Sequence, residues 1–367
     1  MAEALRLSSR VSMSGVRSSG VALLLMVASG FAALGSQIVW TQQGALWLGH
    51  ESAAVLAVIG AFFGGLALGA WGFGARIERS AQPARWYAAC EAAIGVWSLV
   101  LIALPALAMP WLLELTGAQP SAPRQWTVAF VGTFVLLLPA TMAMGATLPA
   151  MERVLARWHG RGAALAALYA GNTAGAVLGV LAAAFWLVPT LGLMRTAVVC
   201  ALLNLLCAAI AWRWDGDATA APHATAAARS EVLPMAVQRS VWPLLLLGAT
   251  GLLGIGYEVL VVRVLSQVTE NTVYTFAMLL ATYLVGTALG AAAWQRWGSQ
   301  HVDIREHQGL LWALAGACLF GVIALGFAPQ IKAFTLHALG PSLASALIAE
   351  AALAALAFLP ATCVMGA

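Results

Sequence analysis

Runs of about twenty mostly apolar residues recur along this sequence and constrain its fold more than any other feature. A helix needs about 20 such residues to cross the roughly 30 Å hydrocarbon core of a bilayer. Hydrophobic residues make up 62% of the chain and charged residues 9%, whereas soluble domains average roughly 45–50% and 25%. The sequence therefore predicts an all-α, polytopic membrane helix bundle with about ten spans, at 21–48, 53–75, 87–113, 127–150, 162–188, 193–212, 241–267, 272–294, 308–328 and 342–366.

Basic residues are distributed unevenly between the two sides of this predicted bundle. If the N-terminus is cytoplasmic, fourteen of the eighteen Lys and Arg residues fall on the cytoplasmic side. The positive-inside rule describes this asymmetry, so we predict a multi-pass membrane protein with a cytoplasmic N-terminus. No basic run is interleaved with aromatic residues, so the lipid bilayer is an expected partner and nucleic acid is not.

The first apolar run follows Arg6, Arg10 and Arg17 and could be taken for a secretory signal peptide. The same kind of segment recurs later in the chain, where no signal peptide could lie. We therefore interpret it as the first membrane helix.

An internal repeat appears when the sequence is shifted by 221 positions. Gly65 then meets Gly286, Gly69 meets Gly290, and the Pro-Ala-Thr-x-x-Met-Gly-Ala motif at 139–146 meets the same motif at 360–367. Fixed-period similarity of this kind indicates a repeated structural unit. We predict a duplicated six-span unit whose second copy is truncated, and we expect a fragment of a longer chain. The predicted parts are a cytoplasmic segment at 1–20, a first unit at 21–213, a cytoplasmic linker at 214–240 and an incomplete four-span unit at 241–367.

Four ionisable residues lie inside predicted spans, where such groups are costly and often functional. They are Glu91, Glu258, Arg263 and Glu350. Glu258 and Arg263 are five residues apart and do not share a helix face well. The equivalent positions of the first unit hold Gln37 and Gln42, so both charges are missing there together. These residues either form a buried network that fixes helix register or bind a polar substrate or a proton.

Tyrosines flank Glu258 in the sequence. Tyr257, Tyr274 and Tyr283 lie on the seventh and eighth spans, and a carboxylate among aromatic faces can bind an organic cation. Anchoring at the membrane interface is the alternative role for these tyrosines. Asn172 lies beside a glycine face on the fifth span, where it could also form an interhelical hydrogen bond. The candidate substrate-binding residues are Glu258, Arg263, Tyr283, Tyr274, Glu91 and Asn172.

No catalytic constellation is visible in the sequence. The five cysteines are scattered through apolar segments without metal-ligand spacing, and no histidine has a nucleophile nearby in sequence. We therefore predict no catalytic residues, no metal site and no cofactor in this chain.

Several separated motifs resemble the membrane region of bacterial fused spermidine-synthase-like proteins. They are Ser-Gly-Phe-Ala-Ala-Leu-Gly-Ser-Gln-Ile-Val-Trp-Thr at 29–41, Gly-Leu-Ala-Leu-Gly at 65–69, the Leu-Pro-Ala-Thr motif at 138–149, Tyr-Ala-Gly-Asn-Thr-Ala-Gly-Ala at 169–176 and Gly-Tyr-Glu-Val-Leu at 256–260. In that family the membrane region is commonly joined to an aminopropyltransferase-like domain that uses decarboxylated S-adenosylmethionine. The resemblance implies a link to polyamine biosynthesis, with the spermidine synthase activity in a domain that this chain lacks. Gln37 and Gln42 depart from the family's usual Glu…Trp-Thr-Arg pattern.

Two functions follow as hypotheses. The first is a membrane module that binds or conducts a polyamine or related organic cation near Glu258 and works with an aminopropyltransferase-like domain. The alternative is a self-sufficient, major-facilitator-like secondary transporter, since duplicated units are common in transporters. An anchor or assembly platform without transport is a third possibility.

The topology makes a prediction that labelling can test. Cysteines introduced as Ser80→Cys and Gly160→Cys should react with a membrane-impermeant maleimide from the same face of the bilayer, because both loops carry the clustered arginines. Ala118→Cys should react only from the other face. Labelling of positions 80 and 160 from opposite faces would contradict the predicted topology.

Overall fold

The computed structural model describes residues 2–48, 51–117, 119, 121–156, 161–214, 242–268, 273–297, 304–340 and 342–366. These residues are almost entirely helical and include no strand. Nine helical stretches among them are long and apolar enough to cross a membrane. The prediction of an all-α polytopic membrane bundle is thus confirmed. The predicted linker at 214–240 lies outside the described residues, apart from Trp214.

Eleven α-helices and one short π-helical segment make up the described chain. The π-helical segment, Ala183–Leu187, joins the fifth and sixth helices. Helix α1 extends much further toward the N-terminus than the predicted first span, although its apolar part is Ser19–Leu46. The helices are α1 (Ala2–Leu48), α2 (Glu51–Arg79), α3 (Pro83–Thr116), α4 (Ala122–Leu155), α5 (Arg161–Ala182), α6 (Val188–Trp214), α7 (Trp242–Val268), α8 (Val273–Trp297), α9 (Ile304–Gly326), α10 (Ala328–Leu339) and α11 (Leu343–Gly366).

One apolar stretch is too long for a single pass. Leu165–Trp214 contains 50 residues, which as a straight helix would extend about 75 Å at 1.5 Å per residue, more than twice the roughly 30 Å core. Gly192 interrupts it with φ 79° and ψ 169°, a conformation that glycine adopts most readily because it has no Cβ. Helices α5 and α6 on either side both pack against α1. The chain therefore turns at Gly192, and this stretch is long enough for two passes.

Helices α1 to α6 form a first group and helices α7 to α11 a second. Helix α1 lies at the centre of the first group. It contacts α2, α5 and α6, and 61% of its most apolar window is buried, the highest share among the nine apolar stretches described. Helices α2 and α4 pair closely, as do α3 and α6. In the second group, α11 packs against α8, α9 and α10.

Small residues allow the closest of these pairs to form. A methyl group at Gly69 would overlap the carbonyl oxygen of Met142, and one at Gly145 would overlap the carbonyl oxygen of Leu66. Lipid supplies no hydrophobic drive between helices, so close backbone packing at such positions is a main source of association. The close pairing of α2 with α4 thus depends on glycines, which have no side chain to hold the two helices apart.

The same contacts recur 221 positions later. Gly290 faces Cys363 as Gly69 faces Met142, and Gly366 faces Thr287 as Gly145 faces Leu66. Helices α9 and α11 begin at Ile304 and Leu343, and these positions are equivalent to the starts of α3 and α4. These correspondences support the predicted duplication.

We expect Gly69→Ala to destabilise the bundle, because the added methyl group must push α2 away from Met142. Overpacking of this kind costs about 1–3 kcal/mol, and thermal unfolding of the purified protein in detergent would measure it. Gly74→Ala on the same helix is the matched control, since nothing lies within 4 Å of a Cβ there. Gly290→Ala should behave like Gly69→Ala, and equal stability of all three variants would contradict this packing.

Candidate functional site

A largely apolar cavity with three polar residues in its wall lies between the two groups of helices. Its walls come from α1, α2, α7, α8 and α11, so both groups contribute to it. Phe276 and Phe358 are among its apolar lining, and its polar lining is Gln37, Thr41 and Glu258. The volume that the centres of water molecules can reach inside it is about 30 Å³. At roughly 10–15 Å³ for each water, this is room for about two water molecules.

Gln37 and Glu258 are the two groups in this cavity that lack hydrogen-bond partners. Each side chain is 4% exposed. Gln37 Oε1 and Glu258 Oε2 accept no hydrogen bond from any described residue. The two residues also occupy equivalent positions, since 221 residues separate them. The repeat thus places one polar residue from each unit in a single cavity, with an amide on one side and a carboxylate on the other.

Aromatic rings support the cavity on the side of α11. Tyr283 packs edge-on against Phe358 with ring centroids 6.3 Å apart, and it lies within electrostatic range of the Glu258 carboxylate. Tyr257 also packs edge-on against Phe358, at 6.1 Å, and donates a 2.6 Å hydrogen bond to the carbonyl oxygen of Ala357. Of the three tyrosines singled out in the sequence, Tyr257 and Tyr283 therefore both contact Phe358 in the cavity wall.

Three other candidate residues lie away from the cavity. Arg263 is exposed on α7, which agrees with its position on a different helix face from Glu258. Tyr274 packs against Phe185 with ring centroids 5.0 Å apart. Asn172 lies at the crossing of α1 and α5, where its backbone and side chain approach Gly30. The structure places each of these residues in a contact between helices or on the outer surface.

Glu91 belongs to a second polar cluster, inside the first group of helices. It is fully buried, and its Oε1 accepts a 2.5 Å hydrogen bond from the Ser29 hydroxyl. Tyr87, whose hydroxyl donates to the carbonyl oxygen of Leu25 at 3.2 Å, lies beside the same carboxylate. Glu91 Oε2 has no hydrogen-bond partner among the described residues.

Neither carboxylate has a basic partner. Among the described residues, no Lys, Arg or His forms an ion pair with Glu91 or Glu258. Glu350, the third buried carboxylate, accepts a 2.8 Å hydrogen bond from Thr275 and does not line the cavity. An unpaired charge inside a membrane protein is costly, so Glu91 and Glu258 are suited to binding a cation or a proton.

Sequence reasoning did not assign Gln37 to this site. It treated Gln37 only as the position where the charge of Glu258 is missing, and nothing in the sequence shows that the two positions face one cavity. The one signal was their shared place in the repeat. Ser29 likewise gave no signal, because it lies 62 residues from Glu91 in the chain.

Metal ligands do not cluster in the part of the chain that the structure describes. No group of three or more His, Cys, Asp or Glu side chains is placed there to hold an ion. Cys90, Cys200 and Cys207 are buried free thiols, while Cys318 and Cys363 are half-buried.

Comparison of this chain with protein-family models, with curated proteins and with solved structures gives no match. The cavity and the carboxylates therefore define only a coarse class, a multi-pass helical membrane protein with a polar site between two groups of helices.

The Ser29–Glu91 contact makes a stability prediction. Ser29→Ala should destabilise the protein by about 1–3 kcal/mol, because it leaves a buried carboxylate without its donor. Ser98→Ala is the matched control, since Ser98 is also buried but its hydroxyl has no partner among the described residues. Thermal unfolding should separate the two variants, and an equal effect would show that the Ser29 hydrogen bond contributes nothing.

Proposed function

We propose that this protein binds and moves a small organic cation of the polyamine type across or within the bacterial inner membrane, with Glu258 as the counter-charge. The observation that carries the proposal is the pair Gln37 and Glu258, equivalent residues with unpartnered oxygen atoms in one cavity. A carboxylate supplies charge and an amide oxygen supplies a second acceptor. An ammonium group, which only donates hydrogen bonds, matches this pair.

The dimensions of the cavity favour one ammonium group at a time. An ammonium group is about the size of a water molecule, and the cavity has room for about two waters. The rest of an elongated polyamine would extend along the boundary between the two groups of helices. Tyr283 and Phe358 lie close to the carboxylate on that boundary, and aromatic faces attract ammonium groups.

The position of the cavity supports movement of the cation as well as binding. Transporters built from structural repeats commonly hold their substrate where the repeats meet, and rock one repeat against the other. The walls here come from both groups of helices. This favours the second candidate function, a self-sufficient secondary transporter, over an anchor without transport.

A role in polyamine biosynthesis, in partnership with an aminopropyltransferase-like domain, rests on the sequence motifs alone. In that arrangement the cytoplasmic N-terminus and the arginine-rich loops would lie on the side where such a domain works. The proposal of cation binding at Glu258 does not depend on this partnership.

Glu258→Gln should reduce spermidine binding to the purified protein by about tenfold or more, because losing one close opposite charge in a poorly solvated site costs more than 1.4 kcal/mol. Isothermal titration calorimetry or equilibrium dialysis would measure the change. Glu350→Gln is the matched control, since it removes a buried carboxylate that lies outside the cavity. Unchanged binding by Glu258→Gln, or an equal loss in both variants, would contradict the proposed site.

A further inference from the structure

Buried polar atoms without partners are not scattered through the described residues. They belong to six residues, Ser36, Gln37, Glu91, Ser98, Asn204 and Glu258. Five of these, all except Ser98, can be followed from one buried carboxylate to the other in the order Glu91, Asn204, Ser36, Gln37 and Glu258. This order defines a polar route across α3, α6, α1 and α7.

The route begins at Glu91 on α3. Glu91 is held by Ser29 of α1 and leaves Oε2 unpartnered. Cys207 of α6 lies within electrostatic range of the same carboxylate. Helices α1, α3 and α6 therefore meet at Glu91.

The middle of the route runs between α1 and α6. Cys200, Asn204 and Cys207 follow one another at spacings of four and three residues, so they share one face of α6. Cys207 lies within electrostatic range of Glu91 at one end of this face, and Cys200 packs against Gly35 of α1, next to Ser36, at the other. Asn204 lies between them, fully buried, and both polar atoms of its amide lack partners.

The far end of the route is the cavity. Ser36 precedes Gln37, and the Gln37 side chain lines the cavity opposite the group of helices that carries Glu258. Ser29 and Ser36 are seven residues apart, on the same face of α1 and about 10 Å apart along its axis. A single helix thus connects the surroundings of Glu91 with the cavity.

Other titratable groups near the two ends are few. Tyr87 and Cys90 of α3 and Cys207 of α6 face Glu91, whereas Tyr283 of α8 faces Glu258. None of these brings a positive charge. The two carboxylates are therefore the groups on the route best suited to exchange a proton.

We propose that Glu91 is a proton-binding site, and that Asn204, Ser36 and Gln37 form a relay between it and Glu258. The inference rests on the proposed function, since it names the ion exchanged for the organic cation. When the cation leaves, a proton departs from the Glu91 carboxyl, passes through water molecules held by Asn204 and Ser36, and is accepted by the Glu258 carboxylate. Glu91 is then ionised and takes up a new proton from the side to which the cation left. Glu258 stays neutral until the next cation displaces its proton, which is released on the side from which that cation entered.

The test uses the full chain in proteoliposomes with a pH-sensitive dye inside and a spermidine gradient across the membrane. Wild-type protein should move protons across the membrane in the direction opposite to spermidine. Glu91→Gln should lower this proton movement by about tenfold or more, as expected when a positioned proton-transfer group is removed, and Asn204→Leu should lower it as well. Ser98→Ala is the control, since Ser98 has a buried, unpartnered hydroxyl outside the route.

An independent measurement needs no substrate. The infrared absorption of a protonated carboxyl should be present in wild-type protein and weaker in Glu91→Gln. If wild-type protein does not bind spermidine, the proposed function fails, and the infrared measurement still decides whether Glu91 holds a proton. The relay is overturned if Glu91→Gln and Asn204→Leu move protons as wild-type protein does, or if Glu91→Gln leaves the infrared band unchanged.

Discussion

The hydrocarbon of a bilayer offers no hydrogen-bond partner, so a polar side chain in these helices must find its partner within the protein. Most of the buried polar groups described meet this requirement locally. Thr141 and Thr362 donate to carbonyl groups of their own helices, and Thr275 donates to Glu350. The groups that do not meet it lie on α1, α3, α6 and α7, and two of them, Gln37 and Glu258, line the cavity between the two groups of helices. In lipid, a buried polar group without a hydrogen-bond partner is costly unless water, an ion or a proton supplies the missing partner.

The 221-residue shift of the sequence relates the two residues that bring unpartnered oxygen atoms to this cavity. Each group of helices is held by close contacts at glycines, such as Gly69 with Met142 and Gly290 with Cys363. Helices α1 and α7 correspond in the 221-residue shift of the sequence, and the cavity between the groups receives Gln37 from one and Glu258 from the other. The site holds one carboxylate and one amide, so it carries at most a single negative charge. A site of this kind suits one ammonium group or one proton at a time, which is the basis of the exchange that we propose.

Much of the fold could be predicted from the sequence, because apolar runs and arginine placement follow directly from the physics of the bilayer. The sequence also predicted Glu258 as a site residue, since an acidic residue in a span is rare. It could not predict which helices meet. Gln37 and Glu258 line one cavity, and Ser29 reaches Glu91 across 62 residues of chain, only after the helices have packed. Arg263, Tyr274 and Asn172 carry suitable chemistry, but helix packing places them away from the cavity. Asn204 gave no signal, because its importance comes from its neighbours on α1 and α3.

The two groups of helices enclose one cavity with Gln37 and Glu258 in its wall. Cross-linking tests it most directly, using Gln37→Cys and Glu258→Cys in a chain whose native cysteines are replaced and whose 214–240 segment carries a protease site. After oxidation and cleavage in membranes, the two fragments should migrate together until a reductant is added, whereas either single-cysteine variant should separate. Fragments that separate without reductant, even after treatment with a flexible bismaleimide, would show that these positions do not face each other, and the shared cavity would be ruled out.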